Sequence, residues 1–444
     1  MPSETSNDAR SALAAARRLV VKVGSAILCA EDGAVKEAWL ATLAEDIFRL
    51  REGGCDIVIV TSGAIALGRK RLGLEGLLRL DEKQAASAAG QAALVGAWQR
   101  AFDPFGVNLA QVLLTLEDTE NRRRYLNARA TFSTLLELGA LPVVNENDTI
   151  ATAEIRYGDN DRLAAHAAQI IGADLLLILS DIDGVYDSDP RKNAGARHLP
   201  TIEKITTEIE RAAGGANAAA GVGSGGMASK IAAAKIAGAA GCATVIAAGI
   251  IERPLAAVGD GARATLIRSQ QSPERARRRW IAGRLKPLGD IFIDDGAVKA
   301  LKSGSSLLPA GIVRVSGDFQ RGDAVSIRAQ TGDIIAQGLS SFGAVEVAAI
   351  AGKKSDEVER ILGYRRRPAV IEKNDLVLDR HRDDRNARRH DGADRGRRAA
   401  RGRCVARGAD SDKKRGALER RRAYRGWRRR NPARQCGGGR RRTI

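Results

Sequence analysis

The amino-acid sequence predicts an α/β protein: an open, mostly parallel sheet sandwiched by helices, then a small, mainly β domain and a basic, disordered tail. Three observations carry this. Over residues 14–268, short β-branched runs alternate with helix-spaced stretches, the order that parallel strands and crossover helices produce. Residues 269–284 are basic, contain proline and read as a linker; over 285–370 the apolar runs shorten and turn residues separate them. From 379 to 444 aliphatic residues nearly vanish among Arg, Gly, Ala and Asp, a composition that cannot bury a core.

Taken in order, Arg-Leu-Val-Val-Lys-Val-Gly-Ser at 18–25 is a buried strand stopped by Gly-Ser. Lys22 interrupts it at the end where open α/β sheets hold ligands. Residues 35–51 carry Leu40, Leu43, Ile47 and Leu50 at helical spacing and stop at Gly53 and Gly54. Asp-Ile-Val-Ile-Val at 56–60 is a second strand, closed by Thr61, Ser62, Gly63 and Ala64. An alanine-rich helix over 84–102, a strand over 107–115 and a helix over 121–138 lead to Leu-Pro-Val-Val-Asn-Glu-Asn-Asp at 141–148. A fully apolar strand at 175–179 ends in Ser180 and Asp181, and a last strand covers 244–247. In the small domain, strands are expected at 291–294, 311–315, 324–327 and 334–339, the domain closing near Gly363 and Tyr364.

The net charge of +19 is that of a nucleic-acid binder, but it is local. Residues 379–444 hold 25 Lys/Arg against 8 Asp/Glu, which leaves the first 378 residues a net +2 and no sign of a polyanion partner in the body. Five cysteines, at 29, 55, 242, 404 and 436, have neither metal-ligand nor disulfide-framework spacing and fit a reducing, cytoplasmic setting. Residues 1–18 lack the apolar core of a signal peptide, and no apolar run reaches the ~18 residues of a membrane span. A soluble protein with no membrane partner is expected.

The chemistry concentrates where elements end. Val-Gly-Ser-Gly-Gly-Met-Ala-Ser-Lys at 222–230 is a glycine-rich turn that delivers one lysine into a helix over 231–236. Gly223, Gly225 and Gly226 let successive amides curl around an anion, the helix start adds its dipole, and Lys230 adds a mobile charge. The spacing is not that of a Walker A loop, and alone such a stretch is as often a plain turn with a surface lysine. Five further clusters accompany it: Lys22 with Gly24 and Ser25; residues 61–64; Asn145 to Asp148; Gly158 to Asp161; and Ser180 with Asp181. Asn, Asp and Gly dominate turns for backbone reasons, so any one cluster reads as a turn. Six of them, nearly all closing strands of one domain, read as a site.

In combination these stretches closely resemble the amino-acid kinase family, and within it the members that phosphorylate free glutamate. The resemblance rests on Val-Lys-Val-Gly-Ser (21–25), Thr-Ser-Gly-Ala-Ile-Ala-Leu-Gly (61–68), Val-Asn-Glu-Asn-Asp (144–148) and Ala-Glu-Ile-Arg-Tyr-Gly-Asp-Asn-Asp (153–161). Ser-Asp-Ile-Asp-Gly-Val-Tyr (180–186), Asp189 with Pro190, and Gly-Ser-Gly-Gly-Met-Ala-Ser-Lys (223–230) complete it, and it covers residues 19–378. The small domain resembles a PUA domain, a fold otherwise associated with RNA-modifying proteins.

The resemblance implies the amino-acid kinase fold and ATP-dependent phosphorylation of the γ-carboxylate of L-glutamate to L-glutamyl 5-phosphate, the first step of proline biosynthesis. It also implies Mg2+, feedback inhibition by proline near the glutamate site, and a homo-oligomer, dimer or tetramer. By resemblance, Lys22 and Lys230 hold the transferring phosphoryl group from two sides, Asp161 orients both lysines, and Gly24 lets an amide approach the developing charge. Ser62, Asp148 and Asn160 match glutamate-binding positions, Asp148 being the partner for the substrate ammonium. Lys22, Gly24, Ser180, Asp181, Ser224, Gly225, Gly226, Met227, Ala228, Ser229 and Lys230 match nucleotide-binding ones, and no residue is assigned to a metal. The residue types suit the reaction, because a substrate carboxylate of pKa ~4.3 is already ionised and phosphoryl transfer needs positioning and charge neutralisation more than a base.

Other members of the family accept N-acetylglutamate, aspartate, carbamate or UMP; the fused β domain and the cluster at 158–161 favour free glutamate. A dinucleotide-binding reading is disfavoured because no Gly-x-Gly-x-x-Gly follows the first strand. A reading from another class, an RNA-binding protein built on the β domain and tail, meets a body of net charge +2, so nucleic acid is not expected to be required. Ser224 stands where the family usually has threonine. The tail reads as a frameshift or read-through product of a GC-rich gene in preference to a nucleic-acid arm, although its Arg runs with Tyr424 and Trp427 have that chemistry.

Overall fold

Along each strand of the first sheet, alternate residues face opposite helical layers, and this parity decides what meets at the site. The computed structural model describes residues 7–150, 159–214, 226–284, 286–364 and 369–379; Gly158, Gly223, Ser224, Gly225 and the tail after 379 lie outside the described residues. The strands of the first part are β1 (Arg18–Val23), β2 (Asp56–Thr61), β3 (Leu109–Leu114), β4 (Leu141–Glu146), β5 (Leu175–Ser180), the short pair β6 (Val185–Tyr186) and β7 (His198–Leu199), then β8 (Thr201–Ile202), β9 (Ala243–Ala248) and β10 (Ala264–Ile267).

Eight of these form one sheet in the order β3-β4-β2-β1-β5-β9-β10-β8. All neighbours are parallel except β9 and β10. Leu19, Val21 and Val23 face one core, shared with the helices Glu37–Glu52 and Leu80–Phe102. Val20 faces the other, shared with the helices Arg122–Glu137, Asp159–Ile171 and Met227–Ala239. The chain builds β2, β3 and β4 on one side of β1 and returns to place β5 on the other. That reversal opens a crevice beyond the carboxyl ends of β1 and β5, the place where open α/β sheets take ligands.

The second sheet has the order β12-β11-β13-β14-β15, from β11 (Gly289–Ile293), β12 (Ile312–Gly317), β13 (Ala324–Ala329), β14 (Ile334–Leu339) and β15 (Leu376–Leu378). Its own core includes Ile291, Phe319, Ile327, Phe342 and Ile371, and three short helices accompany it. Two features differ from the sequence reading. The stretch read as a linker, 269–284, contains the helix Pro273–Arg284, and the small sheet takes its last strand from beyond residue 370. Ala324, Leu339 and Val377 of the small sheet pack into the second core of the large one, so the helix and the late strand lie at a buried seam.

Candidate active site

Lys22 shares the parity of Val20, so its side chain leaves β1 toward the layer that holds the helices Asp159–Ile171 and Met227–Ala239. Each of those helices contributes one charged residue near its start. Asp161 lies in the first turn of one, and Lys230 is the fourth residue of the other, which begins at Met227 and not after the lysine. The three side chains meet. Lys22 Nζ lies 2.6 Å from Asp161 Oδ1, and Lys230 Nζ lies 3.7 Å from Asp161 Oδ2. Ser229 Oγ donates to the same Oδ2 at 2.9 Å.

All three charged residues are buried, with relative exposures of 5% for Lys22, 0% for Asp161 and 5% for Lys230. Two buried ammonium groups thus face one buried carboxylate, and Asp181 is a second negative charge acting on Lys230. Burial holds the Lys230 ammonium below the usual lysine range; Asp161 works against that and Lys22 reinforces it. An anionic ligand counters that loss of charge, and a phosphoryl group reaching both amines does so best.

Toward one side, Asn160 Nδ2 donates to Ser62 Oγ at 2.7 Å, to the Thr61 carbonyl at 3.1 Å and to Asn145 Oδ1 at 3.2 Å. Its own Oδ1 is buried and has no hydrogen-bond partner among the described residues. An acceptor left in that state is a demand for a donor. Buried Asp148 lines the same space, and Ser87 Oγ donates to its Oδ2 at 2.5 Å. Toward the other side, Ser180 ends β5 and donates to Asp181 Oδ1 at 3.0 Å, while Arg191 donates to Asp181 Oδ2 at 2.5 Å. Burial opposes ionisation of Asp181, but the Arg191 and Ser180 hydrogen bonds outweigh it and hold the carboxyl below its usual range.

Lys22, Ser62, Asn145, Asp148, Asn160, Ser180, Asp181 and Arg191 line one cleft of about 1660 Å3, with Gly24, Gly226, Met227, Ala228 and Lys230 on its wall. A single small-molecule site commonly measures roughly 300–1,000 Å3, so the cleft has room for two ligands end to end. A Cβ on Gly24 would sit 3.5 Å from Lys22 Nζ, in ordinary contact with that amine.

Of the positions singled out in the sequence, Lys22, Gly24, Ser62, Asp148, Asn160, Ser180, Asp181, Gly226, Met227, Ala228 and Lys230 line the cleft. Asp161 lies beneath it, and Ser229 turns to Asp161 instead of to the opening. Three participants were not singled out individually. Asn145 is fixed by Asn160, Arg191 by Asp181 and Ser87 by Asp148. Ser87 had a visible signal, since it is the one hydroxyl in the run Ala85-Ala86-Ser87-Ala88-Ala89.

Comparison with known proteins gives two family matches, the amino acid kinase family over residues 17–248 and the PUA domain over 289–362. Curated relatives cover most of the chain. A protein named glutamate 5-kinase from Caulobacter vibrioides is 56% identical over 371 residues, 83% of this chain and 98% of that one. Those of the same name from Paramagnetospirillum magneticum and Brucella ovis are 51% and 52% identical, over 83% and 82% of this chain and 100% and 96% of theirs. Among the described residues no helix is long and apolar enough to cross a membrane.

Proposed function

The chain belongs to the amino acid kinase family, and from that premise we propose that it transfers the γ-phosphoryl group of ATP to the side-chain carboxylate of L-glutamate. The relatives' shared name supports the substrate. The observation that carries the chemistry is the pair of buried amines, 2.6 and 3.7 Å from one carboxylate, at the floor of a two-ligand cleft.

Glutamate lies against Ser62, Asn160 and Asp148, its ammonium meeting the Asp148 carboxylate and the open Oδ1 of Asn160. ATP lies against Ser180, Asp181 and the start of the helix Met227–Ala239, the positive end of whose dipole favours phosphate. A glutamate γ-carboxylate oxygen forms the new bond to phosphorus as the bond from phosphorus to the ADP oxygen breaks. No proton moves, because the attacking carboxylate is already ionised. Lys22 and Lys230 follow the charge that spreads over the phosphoryl oxygens, and Asp161 keeps two like charges together in a dry site.

Among the described residues no cluster of three or more His, Cys, Asp or Glu is built to hold a metal. Mg2+ commonly binds substrate phosphates and waters with few protein ligands. This donor set fits a cation carried on the nucleotide, where Asp181 is a carboxylate on that side of the cleft and the cation would neutralise phosphate charge. Proline has the same α-carboxylate and a secondary ammonium, so it competes at Ser62, Asp148 and Asn160, and the product serves proline biosynthesis. Self-association belongs to the same reading but does no work in the chemistry, and nucleic-acid binding by the small domain or tail is not required by it.

The test is ADP release with glutamate, N-acetylglutamate, aspartate, carbamate and UMP as acceptors, with and without proline. Preference for an acceptor other than glutamate ends the proposal. Asp148→Ala should raise the glutamate KM at least tenfold and leave the ATP KM within about twofold, as loss of ground-state binding does. An equal fall in kcat would instead assign Asp148 to the transition state. Lys230 also sets a pH dependence. Its ammonium is lost as pH rises through a value held below that of an ordinary lysine. The profile of kcat/KM for ATP, which reports the free enzyme, should therefore fall on the alkaline side before the ~10.4 of an unperturbed lysine. An alkaline limb at or above that value contradicts the burial argument.

A further inference from the structure

We infer that Ser87 is a positioning residue for substrate, acting through Asp148; the inference rests on the reading that Asp148 holds the glutamate ammonium. Ser87 is completely buried and does not line the cleft, so it touches no ligand itself. A serine inside a helix ordinarily spends its hydroxyl on the carbonyl one turn back. This one donates its single proton at 2.5 Å to Asp148 Oδ2, sixty-one residues away. A donor to a carboxylate at that separation is charge-assisted and roughly twice as strong as a neutral bond.

The helix that carries Ser87 is unusually well placed to fix something. Leu80–Phe102 lies against the helix Ala64–Leu72 with backbone on backbone, because Gly68 and Gly90 have no side chains. A Cβ on Gly68 would overlap the Ala86 carbonyl, and one on Gly90 would overlap the Ala64 carbonyl. Ser87 sits between those contacts, one residue from Ala86. Asp148, in contrast, stands in the turn after β4, outside the sheet itself. The hydroxyl thus ties a carboxylate on a turn to the most closely packed helix pair around the cleft. With Oδ2 held, the carboxylate has lost part of its rotational freedom before the ligand arrives, and binding has less of it to freeze.

The test is a double-mutant cycle in the intact protein. Ser87→Ala should raise the glutamate KM about tenfold, ~1.4 kcal/mol, with kcat and the ATP KM within about twofold and the thermal midpoint near the parent's. Ser87→Cys fills the same space with a weak donor and should raise the glutamate KM in the same direction; it carries the test if the alanine variant does not fold. In the Asp148→Ala background, Ser87→Ala should change nothing further, since the partner is gone. Additive effects, or a kcat loss as large as the KM rise, overturn the inference and leave Ser87 a packing residue. An unchanged glutamate KM in Asp148→Ala alone overturns it at its root, because then the premise about Asp148 has failed and not the bond to it.

Discussion

Replacing Lys230 by alanine should lower kcat by about 10²–10³-fold while the protein remains folded, the loss typical of removing one preorganised donor from a developing oxyanion. The magnitude follows from where the amine sits. It is buried, it lies 3.7 Å from a carboxylate that also faces Lys22, and burial depresses its charge. Charge held at such a point, against a tendency to lose it, is stabilised most when phosphoryl negative charge arrives. The interaction is therefore stronger in the transition state than with either ground-state ligand, and kcat responds before KM does. The same substitution removes a desolvated ammonium that Lys22 repels and leaves Asp161 paired with Lys22, so stability should change little. Steady-state assay beside a thermal melt checks both. Turnover within about tenfold of the parent would remove Lys230 from the reaction, and a collapsed melt would show that it serves the fold. Asp161→Asn should instead lower stability, because it leaves two buried amines facing each other without a counter-charge.

Much of this site was legible because strands and helices have fixed periods. Lys22 two residues after Val20 in an apolar run already says which layer the lysine faces, and polar clusters after apolar runs mark the ligand end of a parallel sheet. What escaped was set by partners distant in sequence. The cluster at 158–161, taken alone, reads as a plain turn, yet Asp159 opens a helix, and that helix start is what puts Asp161 beneath both lysines. Ser87 is one hydroxyl in an alanine run, and only the fold brings it to Asp148. The segment at 269–284 reads as a linker because its arginines suit solvent. The helix Pro273–Arg284 is instead held by Arg277, whose carboxylate partner lies 98 residues further along. No periodicity shows an ion pair across that separation, and the same holds for Arg129, 246 residues from the same carboxylate.

That carboxylate, Asp375, is the point at which stability should be most sensitive: Asp375→Ala should cost about 3–5 kcal/mol, the loss expected when one partner of a buried charge cluster is removed. Asp375 lies just before β15 of the small sheet and is buried. It accepts from Arg129 on the helix Arg122–Glu137 and from Arg277 on the helix Pro273–Arg284. Arg277 also donates to Tyr125 Oη at 2.9 Å and to the Asn374 carbonyl at 2.8 Å, and Tyr125 Oη donates to the Gln169 carbonyl at 3.3 Å. Burial works against the Arg277 charge, yet Tyr125 and Asp375 outweigh it and raise the guanidinium above its usual range. Without the carboxylate, two half-buried guanidinium groups are left beside each other with their charge unanswered, which is why the loss exceeds that of an exposed ion pair, commonly ~0–1 kcal/mol. Asp375→Asn keeps an acceptor without the charge and should fall between the two. Because the cluster clamps the small sheet to the helix beside Asp159–Ile171, urea unfolding of the alanine variant should begin with the small sheet and separate into two transitions. Turnover at low temperature should survive, since no member of the cluster lines the cleft. A single transition within about 1 kcal/mol of the parent would mean that the apolar seam of Ala324, Leu339 and Val377 holds the two sheets together without the charges.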